Sequence, residues 1–178
     1  MIIKKKHLRP QDVLMALGIL YKGNNGWNYH TMSSFLGISP STSFESIPIL
    51  VYANLLIKEK NRLLLENFKE VLFYGLKFFF PVRPGEVTRG VPALSSAPFL
   101  SGIISSTEAF VWPYDKGTLQ GQSIVPLCKS IPRISLENEE LWKLFTFTDF
   151  LRCGNAREKM QAREYFENLM SKYEQQQS

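Results

Sequence analysis

At 178 residues the chain has room for one large domain or for a small one with an extension, and an apolar content of 44% excludes a disordered tail. Two cysteines, Cys128 and Cys153, are too few for a disulfide framework and have no metal-ligand spacing, so both are expected to be small buried hydrophobes in a reducing compartment. The net charge of +5 is unevenly placed, with eight Lys/Arg against three Asp/Glu in residues 1–62 and six against eight in residues 137–178. A cationic excess gathered at the front of a chain suits a surface that faces phosphates. No uncharged apolar run approaches the roughly 18 residues of a membrane span. The basic start MIIKKKHLRP is followed by neither a long apolar core nor a small-residue cleavage site, so a cytoplasmic location is expected.

The first helix should begin with Pro10 at its N1 position, with Gln11 and Asp12 suiting the positive helix terminus. Val13, Leu14, Leu17, Leu20 and Tyr21 form its apolar stripe, and Lys22-Gly23-Asn24-Asn25-Gly26 ends it with turn chemistry. Lys4, Lys5, Lys6 and Arg9 precede it as a candidate phosphate-contacting arm, or as a frayed, solvated terminus.

Residues 27–62 carry the strongest pattern. Asn28 can cap a helix in which Tyr29, Met32, Phe35 and Leu36 share one apolar face. Gly37 follows as a left-handed stop, Ile38 plugs the turn, and Ser39-Pro40 restarts the chain as N-cap and first helical residue. This is the outline of a helix-turn-helix. Leu55-Leu56-Ile57, a tip of Lys58-Glu59-Lys60-Asn61-Arg62 and Leu63-Leu64-Leu65 then read as strand, charged turn and strand, the outline of a wing. Asn54 stands before it at a position suited to the αL conformation. The second helix of the motif is unusual. Its one charged residue is Glu45, and Pro48 falls inside it, which predicts a kink at Ile47 or a helix restarting at Ser46. Base readout usually enlists Arg, Lys, Asn or Gln. Here Ser39, Ser41, Thr42 and Ser43 line the expected groove face, so binding would lean on Lys58, Lys60 and Arg62 of the wing and on the Lys4, Lys5, Lys6 arm.

Asn67 can cap a third long helix, NFKEVLFYGLKFFF, with Phe68, Val71, Leu72, Leu76 and Phe79 on one face and Phe73, Tyr74, Phe78 and Phe80 on the others. Such a helix is a packing or dimer element, or is covered by the rest of its own chain. Residues 81–133 hold seven of the ten prolines, yet too many large apolar residues for a linker, and read as an ordered wrap. Within it, Phe110–Tyr114, the turn Asp115-Lys116-Gly117 and Thr118–Ile124 predict one hairpin, and Thr88-Arg89-Gly90 an exposed turn. Ser135 can cap a helix reaching Cys153, stopped by Gly154, and Asn155 can cap a last one carrying Met160, Phe166, Leu169, Met170 and Tyr173.

The stretch LRPQDVLMALGILYKGNNGWNYHTMSSFLGISPS resembles the start of small bacterial winged-helix proteins, MarR-like in kind, and similar TRGVP, WP and PL…SIP segments stand at Thr88–Pro92, Trp112-Pro113 and Pro126–Pro132. The resemblance implies predicted transcriptional regulators, sometimes encoded beside toxin–antitoxin or phage-defence genes. Pro48-Ile49 depart from it, since such proteins tend to carry basic residues there. No nucleophile elbow, HExxH, P-loop or GxGxxG occurs, and His7 and His30 are the only histidines, so neither an enzyme nor a cofactor is expected. The expected fold is mainly α with a small β-wing: a winged helix-turn-helix over residues 1–66, then a helical packing or dimerisation extension over 67–178 with an irregular segment at 81–133. The expected function is a DNA-binding transcriptional regulator, a repressor acting as a homodimer on double-stranded DNA. The alternative is a degenerate winged helix that serves protein–protein interaction without specific DNA binding.

Overall fold

Pro10 opens α1 (Pro10–Lys22) because its missing amide is one that no helix start can satisfy anyway, and Asp12 accepts from the Arg9 backbone N–H at 2.8 Å. The computed structural model describes residues 7–23, 26–103 and 107–176, so Lys4, Lys5 and Lys6 lie outside the described residues. The structure is mainly helical with two small β elements. The chain divides into two compact units, Met1–Gly75 with Glu164–Ser178, and Leu76–Arg163.

In the first unit, α2 (Tyr29–Leu36) is capped by the Asn28 side chain, which accepts from the amides of His30 and Thr31. Gly37 ends it in the left-handed region at φ 61°, ψ 34°. Ser39 Oγ then accepts from the Thr42 amide at 3.1 Å and starts α3 (Pro40–Tyr52). α3 neither breaks nor restarts at the predicted point but runs through Pro48 as one helix. An interior proline costs about 3 kcal/mol locally. That cost is offset because Ser43, Ser46, Ile49 and Leu50 are all buried against the unit's core, each apolar side chain contributing about 1.5–3 kcal/mol.

After α3, Asn54 takes φ 53°, as its residue type allows. β1 (Leu56–Ile57) and β2 (Arg62–Leu63) pair antiparallel, with Leu56 opposite Leu63 and Ile57 opposite Arg62. Residues Lys58–Lys60 form a single 3₁₀ turn at the tip, closed by Asn61 at φ 47°. α1 is buried on every side from Asp12 to Leu20, more completely than a single stripe would require. Met32, Leu36, Leu50, Leu55, Leu56, Leu63, Phe68, Phe166 and Tyr173 are buried in the same unit.

α4 (Leu65–Glu70) starts three residues earlier than expected, so Asn67 is not its cap. Its side chain instead donates to the Asn54 carbonyl at 2.7 Å. A π turn, Val71–Gly75, follows, and α5 (Leu76–Phe79) belongs to the second unit. The wider π turn rotates later residues off the predicted face. Phe68, Leu72 and Leu76 are buried as predicted, but Phe79 is exposed.

The second unit is built around β3 (Val87–Pro92), β4 (Phe110–Pro113) and β5 (Leu119–Ser123), each paired with the other two. Thr88-Arg89-Gly90 is thus strand and not turn. The expected hairpin is also absent: β4 and β5 are parallel, Phe110 opposite Gln122, and both run antiparallel to β3. The residues with turn chemistry carry the chain across β3 from one edge to the other. Tyr114 N–H donates to Arg89 O, and Gly117 rests on Gly90 so closely that a Cβ on it would lie 2.0 Å from the Gly90 carbonyl carbon. The crossing needs both glycines because two backbones meet there without side chains between them.

Beneath the strands, Trp112 Nε1 donates to Asp149 Oδ2 at 2.7 Å, and Arg152 Nη1 donates to Asp149 Oδ1 at 2.6 Å. Arg152 also donates to the carbonyls of Phe80 and Val125. Burial holds the Asp149 carboxyl above the usual carboxylate range, while the Arg152 charge and the two hydrogen bonds pull the other way. The helix expected from Ser135 to Cys153 is two, α6 (Ile131–Glu137) and α7 (Glu139–Cys153). The second is capped by Asn138, which accepts from Glu140 and Leu141, and Ser135 is buried inside the first. Asn155 caps α8 (Ala156–Gln175) as its residue type predicts, in a reciprocal box with Glu158.

Replacing Gly117 by Ala is expected to lower stability by about 3 kcal/mol or more, since neither backbone at the crossing can retreat. Urea denaturation followed by circular dichroism would reveal it as an earlier midpoint; an unchanged midpoint would mean that the crossing tolerates a methyl group.

Candidate nucleic-acid interface

Which side of α3 faces outward is set from within. Asp12 has no exposed surface, and its carboxylate accepts from Arg9 Nε at 3.0 Å, Arg9 Nη2 at 2.9 Å and Ser46 Oγ at 2.7 Å. With Ser46 held inward, Ser43, Ser46, Ile49 and Leu50 repeat at helical spacing on the buried side. Ser41, Phe44, Glu45 and Tyr52 are exposed on the other.

The sequence-predicted site residues therefore separate. Ser39 and Ser41 are exposed and Thr42 half-buried at the start of α3, with Ser39 Oγ 2.9 Å from Ser41 Oγ and 2.8 Å from Thr42 Oγ1. Ser43 is fully buried, so it does not belong to the outward face; its position three residues before Ser46 and two helical turns before Leu50 turns it to the core. Its hydroxyl has no hydrogen-bond partner among the described residues. Lys58 and Lys60 on the hairpin tip and Arg62 on β2 are all exposed, and none makes an ion pair among the described residues. Arg9, read as part of the basic arm, is committed elsewhere: besides Asp12 it reaches Glu45 Oε2 at 3.1 Å. The hydrogen bond to Asp12, with that to Glu45, holds its proton more tightly than an ordinary arginine's.

The hairpin is anchored from behind. Leu63 N–H donates to Tyr173 Oη at 2.9 Å, and Lys69 pairs with Glu167 at 2.7 Å, so the end of α8 fastens both β2 and α4. Burial raises the pKa of the Tyr173 hydroxyl, keeping it a neutral partner at physiological pH.

Between these elements lies an open groove of about 700 Å³. Phe44, Ile47, Pro48, Val51 and Tyr52 of α3 form one wall, Trp27, Asn28 and Tyr29 another, and Lys58 and Asn61 the rim at the hairpin tip. Phe44 and Tyr52 are each 53% exposed, and Tyr29, expected in the core, is 39% exposed and meets Phe44 edge to face with centroids 5.6 Å apart. The sequence carried a signal for this: Phe44, Pro48 and Tyr52 recur every fourth residue, one outward stripe of a helix whose opposite side holds the serines.

Among the described residues no three His, Cys, Asp or Glu side chains meet as a metal site, and no helix is long and apolar enough to cross a membrane. Burial pushes the Cys153 thiol up to about 12, which makes it a poor nucleophile. Comparison with protein-family models, curated proteins and solved structures finds no match, so the interface is read from its own chemistry.

Two outcomes are expected. Tyr173→Phe leaves the Leu63 amide buried without an acceptor and should cost about 1–3 kcal/mol, with faster amide exchange at Leu63 as its local sign. Cys153 should react with a thiol reagent at pH 8 far more slowly in the native protein than in urea, because the native thiolate is about 10⁻⁴ of the total there.

Proposed function

We propose that the first unit is a winged helix-turn-helix that binds double-stranded DNA, and that the protein is a transcriptional regulator, a repressor acting as a homodimer. The observation that carries this reading is the hairpin with three exposed cations, Lys58, Lys60 and Arg62, unpaired among the described residues, beside the hydroxyl-rich start of α3. Cations free of acidic partners are what phosphate contacts need. Ser39, Ser41 and Thr42 can donate to phosphate or to either kind of base edge, and helix N-termini favour anions. Farther along α3 the outward side chains are Phe44, Pro48 and Tyr52, which cannot supply the bidentate hydrogen bonds of base readout. Binding should therefore be dominated by the DNA backbone and be strongly salt-dependent. Two copies related by a twofold axis would present two hairpins to half-sites about one helical turn apart. The resemblance to small bacterial winged-helix regulators points the same way.

The test is fluorescence anisotropy with duplex DNA from the protein's own upstream region and a scrambled duplex, from low to physiological salt. Replacing Lys58, Lys60 and Arg62 together by Ala should weaken binding to both and lower the magnitude of the salt slope by about 3, since each phosphate contact contributes about 0.9. Undiminished binding by that variant, or none by the native protein at low salt, would overturn the assignment.

A further inference from the structure

The groove is a poor surface for DNA, and its chemistry describes a different occupant. Its walls are apolar and aromatic, and apolar patches of this kind, left in water, mark sites of association. Its lining includes one cation, Lys58, and no acid. Glu45, the acid on α3, is paired with Arg9. Trp27, one of the lining residues, is 9% exposed, and its indole N–H has no hydrogen-bond partner among the described residues. Asn28 and Asn61 also line it. Phe44 and Tyr52 are half exposed, so the groove is an open trough.

We propose that this groove docks an acidic peptide segment of a partner protein, with large apolar side chains on Phe44, Pro48 and Tyr52 and carboxylates facing Lys58, Lys60 and Arg62. Apolar anchors on an aromatic floor supply the affinity, and the cationic hairpin selects the charge of the flanks. The inference does not require that the protein bind DNA.

The experiment is selection of a displayed library of twelve-residue peptides on the full chain, with counter-selection on Phe44→Ala/Tyr52→Ala. The best sequence, synthesised with a fluorophore, is then measured by fluorescence polarisation. Enriched sequences should pair aliphatic or aromatic anchors with Asp or Glu flanks. The synthetic peptide should bind at least ten times more weakly to Phe44→Ala/Tyr52→Ala and to Lys58→Glu. A twin peptide with Lys flanks should bind at least ten times more weakly to the native chain. Both replaced rings are exposed, and an unchanged melting curve verifies that the double variant is folded. Enrichment of basic or neutral flanks, sequences indifferent to the double variant, or displacement of the peptide by a twelve-residue oligothymidylate at equal concentration would each overturn the proposal. The last would assign the groove to single-stranded nucleic acid. Duplex affinity does not enter this reading, because the Phe44/Tyr52 variant keeps all three hairpin cations.

Discussion

Asp12 is a charged side chain with no exposed surface, and such a group is tolerated only when its oxygens are fully engaged. Arg9 supplies the counter-charge from the turn before α1, and Ser46 supplies a hydroxyl from the middle of α3. The arrangement ties two helices 34 residues apart in sequence through one carboxylate. It also fixes the rotation of α3. A shift of one residue in that helix would withdraw Ser46, strand the carboxylate and bring Ile47 inward in its place. The cost of breaking such a pair, about 3–5 kcal/mol, is a large share of the stability of an ordinary domain.

The outward face of α3 is the consequence. With the serines and Ile49 and Leu50 committed to the core, the surface receives hydroxyls at the helix start and rings along the rest. Polarity is thus reversed from what a groove-reading helix needs: of its five serine and threonine hydroxyls from Ser39 to Ser46, those of Ser43 and Ser46 are buried and those of Ser39, Ser41 and Thr42 are shared among themselves, while Phe44 and Tyr52 meet water. The hairpin stands apart from this. Its cations are held at the tip of a short two-stranded element, which alone would be marginal in water, and the Tyr173 hydroxyl and the packing of Leu56 and Leu63 stabilise it. The proposed functions divide along the same line, with phosphate at the hairpin and helix start and an apolar partner along the rings.

The second unit relies on the same device with different residues. Asp149, buried beneath the strands, is engaged by Trp112 and Arg152, and the spare donors of Arg152 take up the carbonyls of Phe80 and Val125. One charged network therefore fastens a strand, a helix and two irregular segments. Where backbones cross at Gly90 and Gly117, the absence of side chains is what counts.

Elements whose cause is local were legible along the chain. Asn28, Gly37, Ser39-Pro40, Asn54 and Asn155 each act through their own neighbouring amides or their own φ, and each is found in its expected role. Ser135 and Asn67 have the same chemistry but do not cap, because burial of the one and a contact with Asn54 for the other were decided by distant chain. The hairpin predicted at Phe110–Ile124 failed for a related reason: turn residues specify that the chain bends, whereas its pairing depends on β3, some twenty residues earlier. Continuity of α3 through Pro48, the inward turn of Ser43, the π turn after Glu70 and the groove all depend on which atoms satisfy buried groups across the unit. They are settled by packing, since hydrogen-bond partners and excluded water are properties of the packed chain and not of any window along it.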